Sequence, residues 1–213
     1  MQQNTIKSAE RGGKLLPLTS DIVFKRVFSK EGNEEILKSL LEAVLDIEIR
    51  NVIVRNPELP KNLYDSKAGI LDIKVEIDEN TICDVEMQVK NEKNIERRST
   101  YYMAKMVSDE LKKNEEYIKI KKTIVINFLN FNYYKRNSYH NTAHMKFEKS
   151  KPEEYVDLGY IKEEEVATKD IEMHFIEIPK FLKKKPEVKT KLEQWMWLIV
   201  GGKEQIEMAE KEN

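Results

Sequence analysis

One cysteine, Cys83, stands among 213 residues. A lone thiol forms no internal disulfide framework and builds no multi-thiolate zinc site. It suits a reducing compartment, and the cytoplasm is the expected location. Histidine is nearly as scarce, with three copies, so a histidine-rich metal centre is not expected. No apolar run approaches the roughly 18–20 residues of a membrane-spanning helix. The opening "MQQNTIKSAERGGK" holds no apolar segment that would serve as a signal peptide. An excess of either charge is also missing. Lys and Arg total 37 against 38 Asp and Glu, a net charge of −1. That excludes a globally basic nucleic-acid binder of the kind a high pI announces.

What is present suits one substantial domain with a hydrophobic core. The chain is 40% apolar and 35% charged, the balance of a globular protein with a densely charged surface. The charge falls in blocks. Lys119, Lys121 and Lys122 precede a strand-like run, Lys180 and Lys183 to Lys185 form a second basic group, and Glu163 to Glu165 an acidic one. Like-charge blocks are ordinarily solvated faces.

Residues 1–14 read as a flexible start, 15–200 as a single domain and 201–213 as a helical tail. "TSDIVFKRVFSKEGN" predicts a short helix, capped by Thr19 or Ser20, with Asp21 in its first turn. Gly32 breaks it and Asn33 caps the next, where Ile36, Leu37, Leu40, Leu41 and Val44 form one apolar stripe. "IRNVIVRNPELP" holds a short strand ended by Pro57 and Pro60. Lys93 to Asn114 predicts a long amphipathic helix with Ile95, Tyr102, Met103, Met106, Val107 and Leu111 inward. Thr123 to Phe131 reads as a strand covered on both faces. "AHMKFEKS" reads as a weaker strand, and "IEMHFIEIP" as another, ended by Pro179. "EVKTKLEQWMWLIVGG" predicts a last helix with Leu192, Trp195, Leu198 and Ile199 inward. This order of elements predicts one α/β domain with a mixed central sheet flanked by helices.

The chemistry lies in "ILDIKVEIDENTICDVEMQVKN", Ile70 to Asn91. Side chains alternate across a strand. Leu71, Ile73, Val75 and Ile77 share one face with Cys83, Val85, Met87 and Val89. Asp72, Lys74, Glu76, Asp84, Glu86 and Gln88 share the other. "DEN" between the runs is a turn signal, so an antiparallel hairpin is expected. If Ile77 pairs with Thr81, Asp72 lies opposite Glu86; a slip that keeps the faces leaves them diagonal neighbours. Either register sets their Cβ atoms roughly 5–8 Å apart. Carboxylates that close repel unless a divalent cation lies between them. The plain alternative is a half-exposed hairpin whose acids are merely wet, with Lys74 paired to Asp84 across the strands.

"LDIKV" and "DVEMQVKN" resemble the core of the PD-(D/E)XK nuclease superfamily, and most closely its transposase-like, recombination-promoting branch. The resemblance extends to "LTSDIVFKRVFSKEGNEEILKSLLEAVL", to "ERRSTYYMAKM" and to "LEQWMWLIV". It implies a restriction-endonuclease-like core and a metal-dependent deoxyribonuclease. Asp72 and Glu86 match the metal-binding acids, and the backbone carbonyl of Met87 matches the third metal contact. Gln88 stands at the position of the usual lysine. The implied cation is Mg2+, with Mn2+ or Ca2+ as substitutes, and the implied partner is DNA. The sequence is also compatible with a homo-oligomer.

Glutamine orients a water by hydrogen bonding but carries no charge. Lys74 and Lys90 are nearby replacements for the charge it lacks. Arg98 and Lys105, on the polar side of the long helix, are expected phosphate contacts, and Asp21 and Lys25 are accessory candidates. A solvated helix face and a first-turn acid favoured by the helix dipole are the plain readings of those four. His140, His144 and His174 have no metal-like setting in the sequence. Two further functions stay open here: a non-catalytic nucleic-acid-binding relic, and a protein-interaction domain.

Overall fold

The computed structural model describes residues 10–11, 14–15, 17–55, 72–111, 115–146 and 167–201. Pro57, Pro60, the 147–166 segment and the 202–213 tail lie outside them, as do residues 1–9 of the expected flexible start. Strands β1 (Glu10–Arg11) and β2 (Lys14–Leu15) pair in a small antiparallel ribbon.

Helix α1 (Asp21–Phe28) starts after Ser20, whose side chain makes no capping bond. Its Phe24 and Phe28 are fully buried, and rings of this size contribute roughly 1.5–3 kcal/mol each when removed from water. Helix α2 (Glu34–Leu45) buries Leu37, Leu40, Leu41 and Val44 at the expected spacing. Asn33 precedes it without capping it; its Nδ2 donates to the Val27 carbonyl at 2.7 Å, tying the two helices together.

The main sheet has six strands in the order β3-β4-β5-β6-β8-β7. They are β3 (Val52–Val54), β4 (Ile73–Ile77), β5 (Thr81–Gln88), β6 (Lys122–Leu129), β7 (His140–His144) and β8 (Ile171–Glu177). The β5–β6 and β6–β8 pairs are parallel and the others antiparallel, so the sheet is mixed as expected. Ile77 pairs with Thr81 and Ile73 with Val85, one of the two registers that counting allowed.

One sheet face, with Ile73, Val75, Cys83, Val85, Met87, Ile124, Ile126 and Phe128, packs on α1, α2 and two C-terminal helices. These are α4 (Ile178–Lys184) and α5 (Lys191–Val200). The other face is covered by α3 (Ile95–Glu110), where Met103 and Met106 meet Ile82 and Val125. Ile95 there meets Leu129 and Phe175. The hairpin's polar face is therefore not a wet face. No helix among the described residues is long and apolar enough to cross a membrane.

Three elements differ from expectation. Pro179 does not merely stop β8; it sits in the first turn of α4, where its missing N–H would have had no partner anyway. The weaker strand lies at His140–His144, earlier than "AHMKFEKS", as an edge partner of β8. In α5 the fully inward set is Leu192, Met196 and Ile199, while Trp195 and Trp197 pack partly buried against the core. Thr190 caps α5 through a reciprocal capping box with Glu193.

Candidate active site

Where β4 begins beside the end of β5, Asp72 and Glu86 meet. The Asp72 amide donates to Glu86 Oε1 at 3.1 Å, and the Met87 amide donates to Asp72 Oδ2 at 3.3 Å. The N–H and C=O of one strand residue point to the same side, so the Met87 carbonyl also lies on the Asp72 side. Gln88 Nε2 donates to Glu86 Oε2 at 2.7 Å. Asp72, Glu86, Met87 and Gln88 thus form one local constellation.

Helix α3 closes the site from above. Arg98 Nη2 donates to Glu86 Oε2 at 3.0 Å, and its guanidinium lies 5.0 Å from the Tyr102 ring centroid. The next residue, Ser99, is buried and donates to Asn127 Oδ1 at 3.1 Å; Asn127 Nδ2 donates to the His174 carbonyl at 3.2 Å. Asn127 is the β6 neighbour of Glu86. These bonds pin α3 to β6 and β8 and so fix where Arg98 reaches. Arg98, expected on an open helix face, faces inward to Glu86. Lys105 lies farther along α3, half-buried.

Asp84 was read only as a member of the hairpin's polar face. It is fully buried, two residues before Glu86 on the same face of β5, and neither carboxylate oxygen has a hydrogen-bond partner. The expected bond to Lys74 is not made. The two residues are register partners, but the Lys74 ammonium lies 3.8 Å from Glu110. Arg98 Nε is also buried without a partner.

The electrostatics follow from crowding. Burial, then the charge of Glu86, pushes the Asp72 carboxyl up to about 7, while Lys25, the Met87 amide and Arg98 pull it back. Lys25 of α1 is thereby placed in the field of the site. Burial, then Glu86 and Asp72, push Asp84 well above the usual carboxylate range. Burial opposes the charge on Arg98, but Glu86 and its other neighbours outweigh that penalty and its pKa is raised. Asp21 stays exposed in the first turn of α1, its Oδ1 accepting from the Ile22 amide at 2.8 Å. Lys90 is exposed as well.

Among the described residues, no group of three or more His, Cys, Asp or Glu side chains converges as if on an ion. Glu86 is held by Arg98 and Gln88, and Asp72 by the Met87 amide. The donor set nonetheless suits a hard cation, since it is all oxygen and carries partnerless buried acid. Asp84 was legible only as an alternation partner of Glu86; its burial depends on α3, which no hairpin pattern reveals.

The family model described as "PD-(D/E)XK nuclease family transposase" matches residues 18–213. Neither a curated protein nor a solved structure matches the chain.

Proposed function

Because the chain belongs to the PD-(D/E)XK nuclease family transposases, we propose that it is a metal-dependent DNA endonuclease. It would hydrolyse phosphodiester bonds, in the cytoplasm, in transposition or recombination. The observation that supports this most is the meeting of Asp72 and Glu86 at the strand ends, with Gln88 on the same carboxylate.

Nucleases of this superfamily generally use divalent metals. Asp72, Glu86 and the Met87 carbonyl would hold the ion, Mg2+ in the first instance. A bound divalent ion supplies charge neutralisation for the phosphate and a more acidic water. Gln88 orients the attacking water through its amide. Lys25 and Arg98 take over part of the positive charge that glutamine does not carry. Lys105 guides the DNA backbone, and such contacts make binding salt-sensitive. Asp21 acts as a first-turn acid of α1, its interaction with the helix dipole favourable.

The test is plasmid nicking with and without Mg2+, Mn2+ or Ca2+, run beside Asp72→Ala and Glu86→Ala. Cation-dependent cleavage by the wild type, lost in both variants, is expected. Cleavage that survives both substitutions would overturn the assignment. The Arg98–Glu86 ion pair favours a second reading, the non-catalytic relic, because a guanidinium already neutralises one acid. That reading predicts salt-sensitive DNA binding by the wild type and no cleavage with any of the three ions.

A further inference from the structure

Asp84 is the side chain whose surroundings leave its charge unanswered. It is fully buried, and both its oxygens lack a donor. Buried carboxylates are normally paired, hydrogen-bonded or bound to metal, because an isolated one loses its hydration without compensation. The nearest candidates for its partner are otherwise engaged. Lys74, across the strand pair, lies with Glu110 at 3.8 Å, and Arg98 donates to Glu86 at 3.0 Å.

The position is informative too. Asp84 and Glu86 project from the same face of β5, and the first residue before β4, Asp72, touches Glu86. Three carboxylates therefore border one volume, under α3, with the single guanidinium of Arg98 bonded to one of them. Positive charge is what this volume lacks, and oxygen is what it offers. Hard divalent cations take oxygen ligands and carry two charges.

We infer that Asp84 is a third carboxylate of the cation site, facing the ion beside Asp72 and Glu86. This rests on the cation-site reading above and deepens it: the family resemblance supplies two acids and a carbonyl, whereas the structure adds a further acid from inside the sheet. The partnerless state of Asp84 is the cost of keeping that acid ready. Removing the carboxylate should therefore separate two properties that a purely structural residue would lose together.

The experiment is Mn2+ binding by titration calorimetry on the full chain, with thermal unfolding measured with and without Mn2+. Wild type is compared with Asp84→Asn and Asp72→Asn. Asp84→Asn is expected to raise the melting temperature without the ion. It should weaken Mn2+ binding by at least about tenfold, the lower range for disturbing a metal site, and shrink the Mn2+-induced rise in melting temperature. Asp84→Ser, smaller and also without the carboxylate, is the second variant, judged by the same two readouts. Affinity unchanged within about twofold in the Asp84 variants, with a loss in Asp72→Asn, would overturn this inference alone. Absence of Mn2+ binding by the wild type would overturn the cation-site reading and this inference with it.

Discussion

On β8, Glu172 accepts from Lys122 Nζ and pairs with His174 Nε2, both at 2.6 Å, and His174 Nδ1 lies 2.8 Å from His140 Nε2. On β5, separated from β8 only by β6, Asp84 is equally buried and has no donor at all. The first cluster spends every polar atom on its neighbours and thereby ties β6, β7 and β8 together. The second holds acid in reserve. A buried polar group that is paired stabilises a unique arrangement; one left unpaired costs stability and calls for another explanation. The contrast assigns the β8 cluster to the architecture and the β5 cluster to chemistry.

The strongest way to break this contrast is to remove Glu86, the acid that links Asp72, Gln88 and Arg98. Glu86→Ala should lower plasmid cleavage by more than about 100-fold, the upper range for disrupting a metal site. Residual cleavage near the wild-type rate would return β5 to a structural role. The matching test on β8 is His174→Leu. It should cost roughly 3 kcal/mol in a urea unfolding series, because Glu172 and His140 lose their shared partner. Cleavage by the folded fraction should stay within about twofold of wild type.

The same contrast sets opposite pH slopes. A hydrogen bond from His174, ahead of the opposing effect of burial, holds the Glu172 carboxyl near about 2. Its contribution is complete above the unfolded value and is lost as pH falls from about 4.5 toward 2. Burial, then His174, holds the His140 ring near about 4, so the neutral ring's contribution is lost as pH falls from about 6.5 toward 4. Asp72 runs the other way. Its folded value of about 7 lies above the unfolded one near 3.8, so its contribution is lost as pH rises between them. Ion-free Asp72→Asn should therefore gain stability more steeply than wild type between pH 4 and 7, measured by urea midpoints at each end. Equal slopes would remove Asp72 from the crowded cluster. The smallest effect is expected from Arg98→Lys, which keeps the charge and loses the planar fork. Cleavage should fall about tenfold, and an unchanged rate would confine Arg98 to packing.

Much of this was readable from residue order. Period-two alternation and the "DEN" turn gave the hairpin, and counting from Ile77 and Thr81 brought Asp72 to Glu86. The stripes of α2 and α3 followed from helical spacing. What the pattern could not give depended on contacts between distant segments. Asp84 and Glu86 looked half-exposed because the crossing of α3 over β5 is a tertiary fact. The His140–His174 bond joins two strands 34 residues apart and was invisible for the same reason. Helix α4 was missed because Pro179 ends strands and also starts helices, and the basic run after it carries little apolar pattern. The weaker strand was misplaced because Met145 and Phe147 drew the reading toward apolar residues, whereas β7 is an edge strand of mostly polar ones.

The turn at Asp78 and Glu79 has a consequence at the other end of its strand. Both residues take the left-handed conformation, at φ 48° and 64°, and Asp78 Oδ1 accepts the amides of Arg50 and Asn51 at 3.0 and 2.8 Å. Clamped in that way, the loop works like a ratchet tooth. One extra residue absorbed into β4 would rotate Asp72 toward the aromatic layer of Phe24 and Phe28, and the acids would part without either being mutated. Loop length here is a chemical parameter, and a single-codon insertion far from any charged group would silence the enzyme.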